Sequence, residues 1–213
     1  ELTQHAVAHK VHGCLMGAPF YYAKSSNQGL INSYAHVINS VSSKDWFIYL
    51  HSNPFVSSGS LPHAVITELL RMFPNHISGI LDASENLTTT SELVRSFFAN
   101  CMVYTQYEKD ILKIMELKST GSVSIIANLL PKPVNKAITK RSVVHSSMTT
   151  DLFDFVVGHH PRVPACKAIL SLLQHNPQWL IVRPPMVTLG KEAIADISKN
   201  LKKFALDHEM KLP

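Results

Sequence analysis

The chain has 213 residues, 46% of them hydrophobic and 16% charged, with 20 Lys+Arg against 15 Asp+Glu and a formal net charge of +5. That length holds a full hydrophobic core, and the apolar fraction excludes a chain that is disordered throughout. No apolar run reaches the roughly 18 residues that a transmembrane helix needs. Cys14, Cys101 and Cys166 lie far apart with no CxxC spacing, which argues against a disulfide framework or zinc module and fits a reducing compartment.

In chain order, short apolar runs alternate with amphipathic stretches. Gly13 to Phe20 reads as a buried strand closed by Pro19, and Leu30 to Val41 carries apolar residues at helical spacing (Leu30, Ile31, Tyr34, Val37, Ile38, Val41). Trp46 to Leu50 is a second apolar run, ended by His51-Ser52-Asn53-Pro54, and Leu61 to Phe73 is a helix with Val65, Leu69, Leu70 and Phe73 on one side. Ile77 to Leu81 is a third run, followed by a helix over Thr90 to Phe98 with Ser91-Glu92 near its start. Cys101 to Tyr104, a helix over Glu108 to Leu117, and Ser122 to Ile126 complete five strand–helix alternations. Two more helices are expected, over Ala165 to Gln174 and Lys191 to His208, separated by Gln178 to Val187 with its Arg183-Pro184-Pro185 break. Apolar strands with little alternation, separated by helices, predict parallel βα units buried on both faces. The class is α/β, and the strand count leaves an open sheet and a barrel both possible.

Local phrases are more specific. Gly13 to Tyr22 with Ser25-Ser26-Asn27-Gln28-Gly29-Leu30, then Phe47 to Pro54, Ile77 to Ser84, Gly121 to Asn128, and Lys167 to Leu172 with Arg183-Pro184-Pro185-Met186-Val187 stand in one order. Together they resemble strands four, five, six and eight and the C-terminal helices of the dihydrodipicolinate synthase / N-acetylneuraminate lyase family. The resemblance implies a (β/α)8 barrel, with residues 1–130 carrying strands four to eight and residues 131–213 a helical extension of the same domain. It also implies homo-oligomers, commonly dimers of dimers. A barrel of this type runs to about 250 residues, and the family's first three strands have no counterpart here. The chain opens at Glu1 with no initiator methionine or signal-peptide pattern. An upstream segment or a partner chain is therefore expected to cover the open sheet edges.

The family's members are class I aldolases, in which a strand-six lysine forms a Schiff base with a 2-oxo acid; only an unprotonated amine can do so. The aligned position is Leu81, which has no nucleophile, and the nearest lysines, Lys44 and Lys109, are placed beyond that strand. The family's proton-relaying tyrosine falls on His51, which can itself move protons or simply close a strand end. The loop Pro54 to Gly59, Phe55 to Ser58 included, lacks the family's carboxylate-binding arginine. Tyr21, Tyr22, His51 and Asn128 are the ligand-binding remnant, and Gln106 or a neighbour is expected to crowd the pocket from strand seven. No catalytic residue is expected. The reading is a catalytically inactive family member kept as a structural or interaction subunit of a larger assembly. The alternative is an active pyruvate-type lyase with relocated catalytic residues.

Cofactor motifs are lacking: there is no GxGxxG and no P-loop. Among the 12 histidines, His5, His9 and His12 lie close in sequence and His159-His160 is a pair, without the spacing of a metal site, so no metal is expected. Asn86-Leu87-Thr88 matches a glycosylation sequon by composition alone. From Leu117 to Thr150 there is no Asp or Glu, while Lys118, Lys132, Lys136, Lys140 and Arg141 are all positive. This is either a solvated basic face or a contact for an anionic partner, whether RNA backbone, anionic lipid or an acidic protein surface, without aromatics for base stacking. A sequence pI of about 9.1 is compatible with the mitochondrial matrix, with the cytoplasm as the other expectation.

Overall fold

The apolar runs become five strands: β1 (Gly13–Gly17), β2 (Phe47–Ser52), β3 (Ile77–Asp82), β4 (Met102–Thr105) and β5 (Gly121–Ser122). They are described by a computed structural model covering residues 1–22, 25–43, 45–56, 59–158 and 161–209. Lys44, Ser57, Ser58, His159 and His160 lie outside the described residues. The chain divides into two compact units, one of residues 1–107 and 113–123, the other of residues 108–112 and 124–213.

In the first unit every strand pairs in parallel with the next in sequence, in the order β1-β2-β3-β4-β5. Parallel crossovers are right-handed, so a sheet that never reverses its order sends each connecting helix to the same side. A doubly wound sheet would reverse midway and carry helices on both faces. The order decides between the open sheet and the barrel in favour of barrel winding.

The connecting helices are α1 (Leu2–Ala8), α2 (Asn27–Asn39), α3 (His63–Met72), α4 (Leu87–Phe97) and α5 (Ile111–Glu116), the last straddling the boundary between the units. Ser26 Oγ accepts the Gly29 N–H at 3.1 Å and so caps α2, a contact typically worth ~1 kcal/mol. The helix buries Leu30, Ile31, Tyr34 and Ile38, the i, i+1, i+4, i+8 stripe of an amphipathic helix. α4 starts three residues earlier than the periodicity predicts, because Asn86 Oδ1 accepts the Thr89 N–H at 3.1 Å and opens the helix at Leu87. The asparagine of the sequon is thus an N-cap. Val65, Ile66 and Leu69 of α3 and Leu93, Val94 and Phe97 of α4 join Ile48, Leu50, Ile80 and Val103 of the strands in one core.

The expectation of strands buried on both faces holds for β3, where only Ser78 is half-buried, and needs correction for the others. Along β2 buried and half-buried residues alternate strictly, with Ile48, Leu50 and Ser52 buried. β4 alternates as well. The helices cover one face, while the other looks into the concave side of the sheet.

The second unit holds α6 (Pro131–Lys140), α7 (Val143–Gly158), α8 (Arg162–Leu173) and α9 (Lys191–Asp207), with 3-10 turns at Ile126–Asn128 and Pro177–Leu180. α6 packs on α7, and α7 and α8 both pack on α9. Only α8 and α9 are foreseen by periodicity. α6 has two prolines in its first turn, where their missing N–H groups cost nothing, and buries only Val134 and Ala137. α7 is rich in Val, Thr and Ser, residues of modest helix propensity, and tertiary packing holds it. The fifth strand is shorter than expected. After Ser122 the chain turns, Ser124 Oγ accepts the Ala127 N–H at 3.0 Å, and Glu108 Oε1 accepts the Ile126 N–H at 3.2 Å.

Candidate active site

The inner face of the sheet is built from alternate residues of each strand, and their register makes two layers. Gly17, His51, Leu81, Tyr104 and Gly121 form one lateral row, paired strand by strand. Leu15, Tyr49, Gly79 and Met102 form the row beneath it. Such layers fill a barrel interior, and reactive groups belong at the carboxyl ends of the strands. The row through His51 and Leu81 lies toward that end.

Glycines alternate with aromatics in these layers for a packing reason. A Cβ on Gly79 would sit 2.6 Å from the Tyr49 ring and 2.4 Å from the Met102 carbonyl oxygen; on Gly13 it would sit 2.4 Å from the Phe47 ring. The rings therefore lie flat over neighbouring glycines, and Tyr49 meets Phe47 and Tyr104 edge to face at centroid distances of 5.8 and 5.7 Å.

A hollow of about 310 Å³ opens on this face, lined by Leu15, Tyr49, Leu81, Tyr104 and Val123. Leu81 is only 3% exposed and forms part of the wall. The two phenol hydroxyls are directed at Met102 Sδ, 3.6 Å from Tyr49 Oη and 3.9 Å from Tyr104 Oη, a weak acceptor. Burial first, and then the adjacent Tyr104, push the Tyr49 hydroxyl above its ordinary value, so it stays protonated. The wall carries no amine, imidazole or carboxylate.

His51 stands at the rim, half-buried, with Nε2 3.5 Å from Asn53 Nδ2. Burial holds its imidazole below the usual histidine value, which favours the neutral ring at pH 7. One residue on from Leu81 and paired with Ser52, Asp82 is fully buried; its Oδ1 accepts the Ser84 N–H at 3.1 Å, and its Oδ2 accepts the hydroxyls of Ser84 at 3.0 Å and Thr90 at 2.5 Å. Burial raises the carboxyl, against the pull of those hydrogen bonds. This network ties the end of β3 to the first turn of α4.

The structure brings His51 and Leu81 into register, as facing residues of adjacent strands. It does not bring Tyr21 and Tyr22 into the hollow. They stack edge to face on each other at 5.4 Å and are 82% and 72% exposed. Asn128 belongs to the second unit, where its Nδ2 donates to the Ile125 carbonyl at 3.0 Å. The expected crowding residue Gln106 lines nothing here: its N–H donates to the Asp82 carbonyl at 2.8 Å, and Tyr104, two residues earlier, fills that part of the wall. Leu15 and Tyr49 lie within family-like phrases but were not singled out, and Tyr104 lies in none; a two-residue step back from His51 and a lateral step from Leu81 reach the two tyrosines. In the loop after β2, Phe55 and Val56 are exposed and uncharged. Among the described residues, no three His, Cys, Asp or Glu side chains converge to hold a metal, and no helix is long and apolar enough to cross a membrane.

The anionic-partner residues divide between the units. Lys118 belongs to the first, with Nζ 5.1 Å from the centre of the Phe98 ring. Lys132, Lys136, Lys140 and Arg141 belong to α6 and the turn after it.

The profile of the dihydrodipicolinate synthetase family matches residues 1–204. The chain belongs to this family. Two relatives named 4-hydroxy-tetrahydrodipicolinate synthase illustrate the distance. That of Chlorobium phaeobacteroides (strain DSM 266 / SMG 266 / 2430) is 25% identical over 97% of this chain and 69% of its own length. That of Chlorobium limicola (strain DSM 245 / NBRC 103803 / 6330) is 29% identical over the same shares. The crystal structure of dihydrodipicolinate synthase from Agrobacterium tumefaciens C58 superposes with a TM-score of 0.86 at 22% identity, covering 95% of this chain and 69% of that one. YagE of E. coli K12, a prophage protein of the same family solved in complex with pyruvate, superposes with a TM-score of 0.83 at 20% identity, covering 96% and 70%. At such identities the superpositions carry the fold: the five parallel strands are part of a TIM barrel of the dihydrodipicolinate synthetase type. Within that family fold, the hollow and its rim occupy the inner face and carboxyl ends of the strands, where (β/α)8 enzymes place their reactive groups.

Proposed function

We propose that the chain is a catalytically inactive member of the dihydrodipicolinate synthetase family, kept as a structural or interaction subunit of a larger protein assembly in the mitochondrial matrix. One observation carries the reading: Leu81, which the resemblance matches to the Schiff-base lysine, is set in a wall of Leu15, Tyr49, Tyr104 and Val123 that offers no amine. Imine formation needs a desolvated amine within bonding reach of the oxo carbon, and an alkyl side chain supplies none. The phenols beside it line the hollow and donate to the Met102 thioether, a weak acceptor, at 3.6 and 3.9 Å. The basic charge balance of 20 Lys+Arg against 15 Asp+Glu supports the matrix assignment, which subcellular fractionation tests directly. The alternative, a lyase with relocated groups, is favoured by His51, whose neutral imidazole at the rim is suited to proton transfer.

Incubation with pyruvate and borohydride followed by mass spectrometry separates the two. No adduct is expected on the native chain, while Leu81→Lys, with its new amine desolvated by the same apolar wall, is expected to gain one pyruvyl adduct. An adduct on any native lysine overturns the inactive reading. A stable stoichiometric set of co-purifying proteins is expected for the assembly role, and isolation as a free homo-oligomer counts against it.

A further inference from the structure

The second unit carries a charged surface that the hollow and its rim leave unexplained. Lys132, Lys136 and Lys140 recur every fourth residue along α6, so they form one row about 12 Å long at ~1.5 Å of rise per residue. All three are exposed, while Val134 and Ala137, on the opposite side of the helix, are buried. α6 ends at Arg141, whose left-handed backbone (φ 50, ψ 38) reverses the chain directly into α7. Ser142 Oγ and His145 Nδ1, 2.7 Å apart, hold that corner. At its tip, immediately after Arg141, Val143 and Val144 are 70% and 68% exposed. No acidic residue occurs anywhere from Leu117 to Thr150 to neutralise the row.

We infer that this corner, Lys132, Lys136, Lys140 and Arg141 with Val143 and Val144, docks the protein onto an anionic lipid bilayer. Charge complementarity selects an anionic partner, because among the described residues none of the four cations is held in an ion pair, which leaves them for phosphate or carboxylate headgroups. The two valines choose among anions. Adjacent exposed β-branched side chains at a tip flanked by cations gain free energy in the headgroup–acyl boundary, and gain none on a phosphodiester backbone. No Phe, Tyr or Trp occurs from Lys132 to Val144 to stack on nucleic acid bases. The apolar side of α6 is already buried against the protein, so the helix does not insert. Attachment is electrostatic and shallow, peripheral and released by salt.

Co-sedimentation of the full chain with phosphatidylcholine vesicles, with and without phosphatidylserine, tests this. Binding is expected only to vesicles containing phosphatidylserine, and it weakens steeply as salt is raised above physiological strength. At about fivefold per cation brought to the leaflet, Lys132→Gln/Lys136→Gln/Lys140→Gln lowers the partition roughly 100-fold. Val143→Ser/Val144→Ser lowers it about tenfold without altering charge. All five substituted side chains are solvent-facing, and circular dichroism confirms that the variants remain folded before partition is compared. Equal partition onto neutral vesicles, unchanged partition of the lysine variant, or binding to single-stranded RNA without any to phosphatidylserine vesicles overturns the inference.

Discussion

Replacing Gly79 by alanine tests the packing that shapes the hollow. The new Cβ would stand 2.4 Å from the Met102 carbonyl oxygen and 2.6 and 2.8 Å from two carbons of the Tyr49 ring. Carbon contacts are comfortable at about 3.5–4.0 Å, so one of these neighbours has to retreat by about an ångström. The ring can swing, but the carbonyl belongs to β4, which is paired to β3 at this position. Overpacking of this kind costs ~1–3 kcal/mol. At roughly 2–4 °C per kcal/mol for a chain of this size, the melting temperature falls by roughly 2–12 °C. Trp46, 2% exposed and in the first unit, reports the transition by its fluorescence during thermal and guanidinium unfolding. Tyr49→Ala added to Gly79→Ala is expected not to restore stability, because the Met102 carbonyl still blocks the methyl group. Gly121→Ala is the comparison: its Cβ meets only the Tyr104 ring, at 3.2 Å, and no backbone atom, so the loss of stability is smaller than for Gly79→Ala. A Gly79→Ala protein that melts with the wild type, or a double variant that recovers fully, refutes the account.

Two pH dependences follow from buried groups. Burial raises the Asp82 carboxyl above its ordinary 3.8, so the folded chain holds this proton more tightly than the unfolded one. Its contribution is therefore greatest in acid and is lost as pH rises from that value through the raised native one. Asp82→Asn, whose amide the Ser84 and Thr90 hydroxyls can still bond, is expected to gain on the wild type with rising pH in denaturation series; a wild type that gains instead contradicts the assignment. His51 has the opposite sign. Burial lowers it, so its contribution is complete above the ordinary 6.5 and is lost as pH falls below that value. His51→Gln is expected to flatten that acid limb, and an unchanged slope would show that the imidazole is not desolvated.

Where helix signals and buried apolar runs were strong, the sequence was legible. Leu30, Ile31, Tyr34 and Ile38 announced α2, because helical spacing places them on a single face, and the continuous apolar run Trp46 to Leu50 announced β2. α6 and α7 were not legible. Their residues are poor helix formers or lie at proline-bearing first turns, and what holds them is contact with each other and, for α7, with α8 and α9. At the site, Leu81 and His51 were found through phrases around them, and the lateral register then put them side by side. Tyr49 and Tyr104 went unnoticed, since each belongs to an apolar run and only the neighbouring strand reveals that it faces the hollow.

The sequence by itself determined the α/β alternation, the family resemblance and the acid-free basic stretch, all of which are matters of residue identity and short-range order. Tertiary structure alone decided that the strands wind without reversal, that one sheet face is left to a hollow, that Tyr21 and Tyr22 stand outside it, and that three lysines and two valines meet at one corner. Those facts depend on which distant segments pair and on the direction each side chain takes from its strand or helix, and local periodicity carries no information about either.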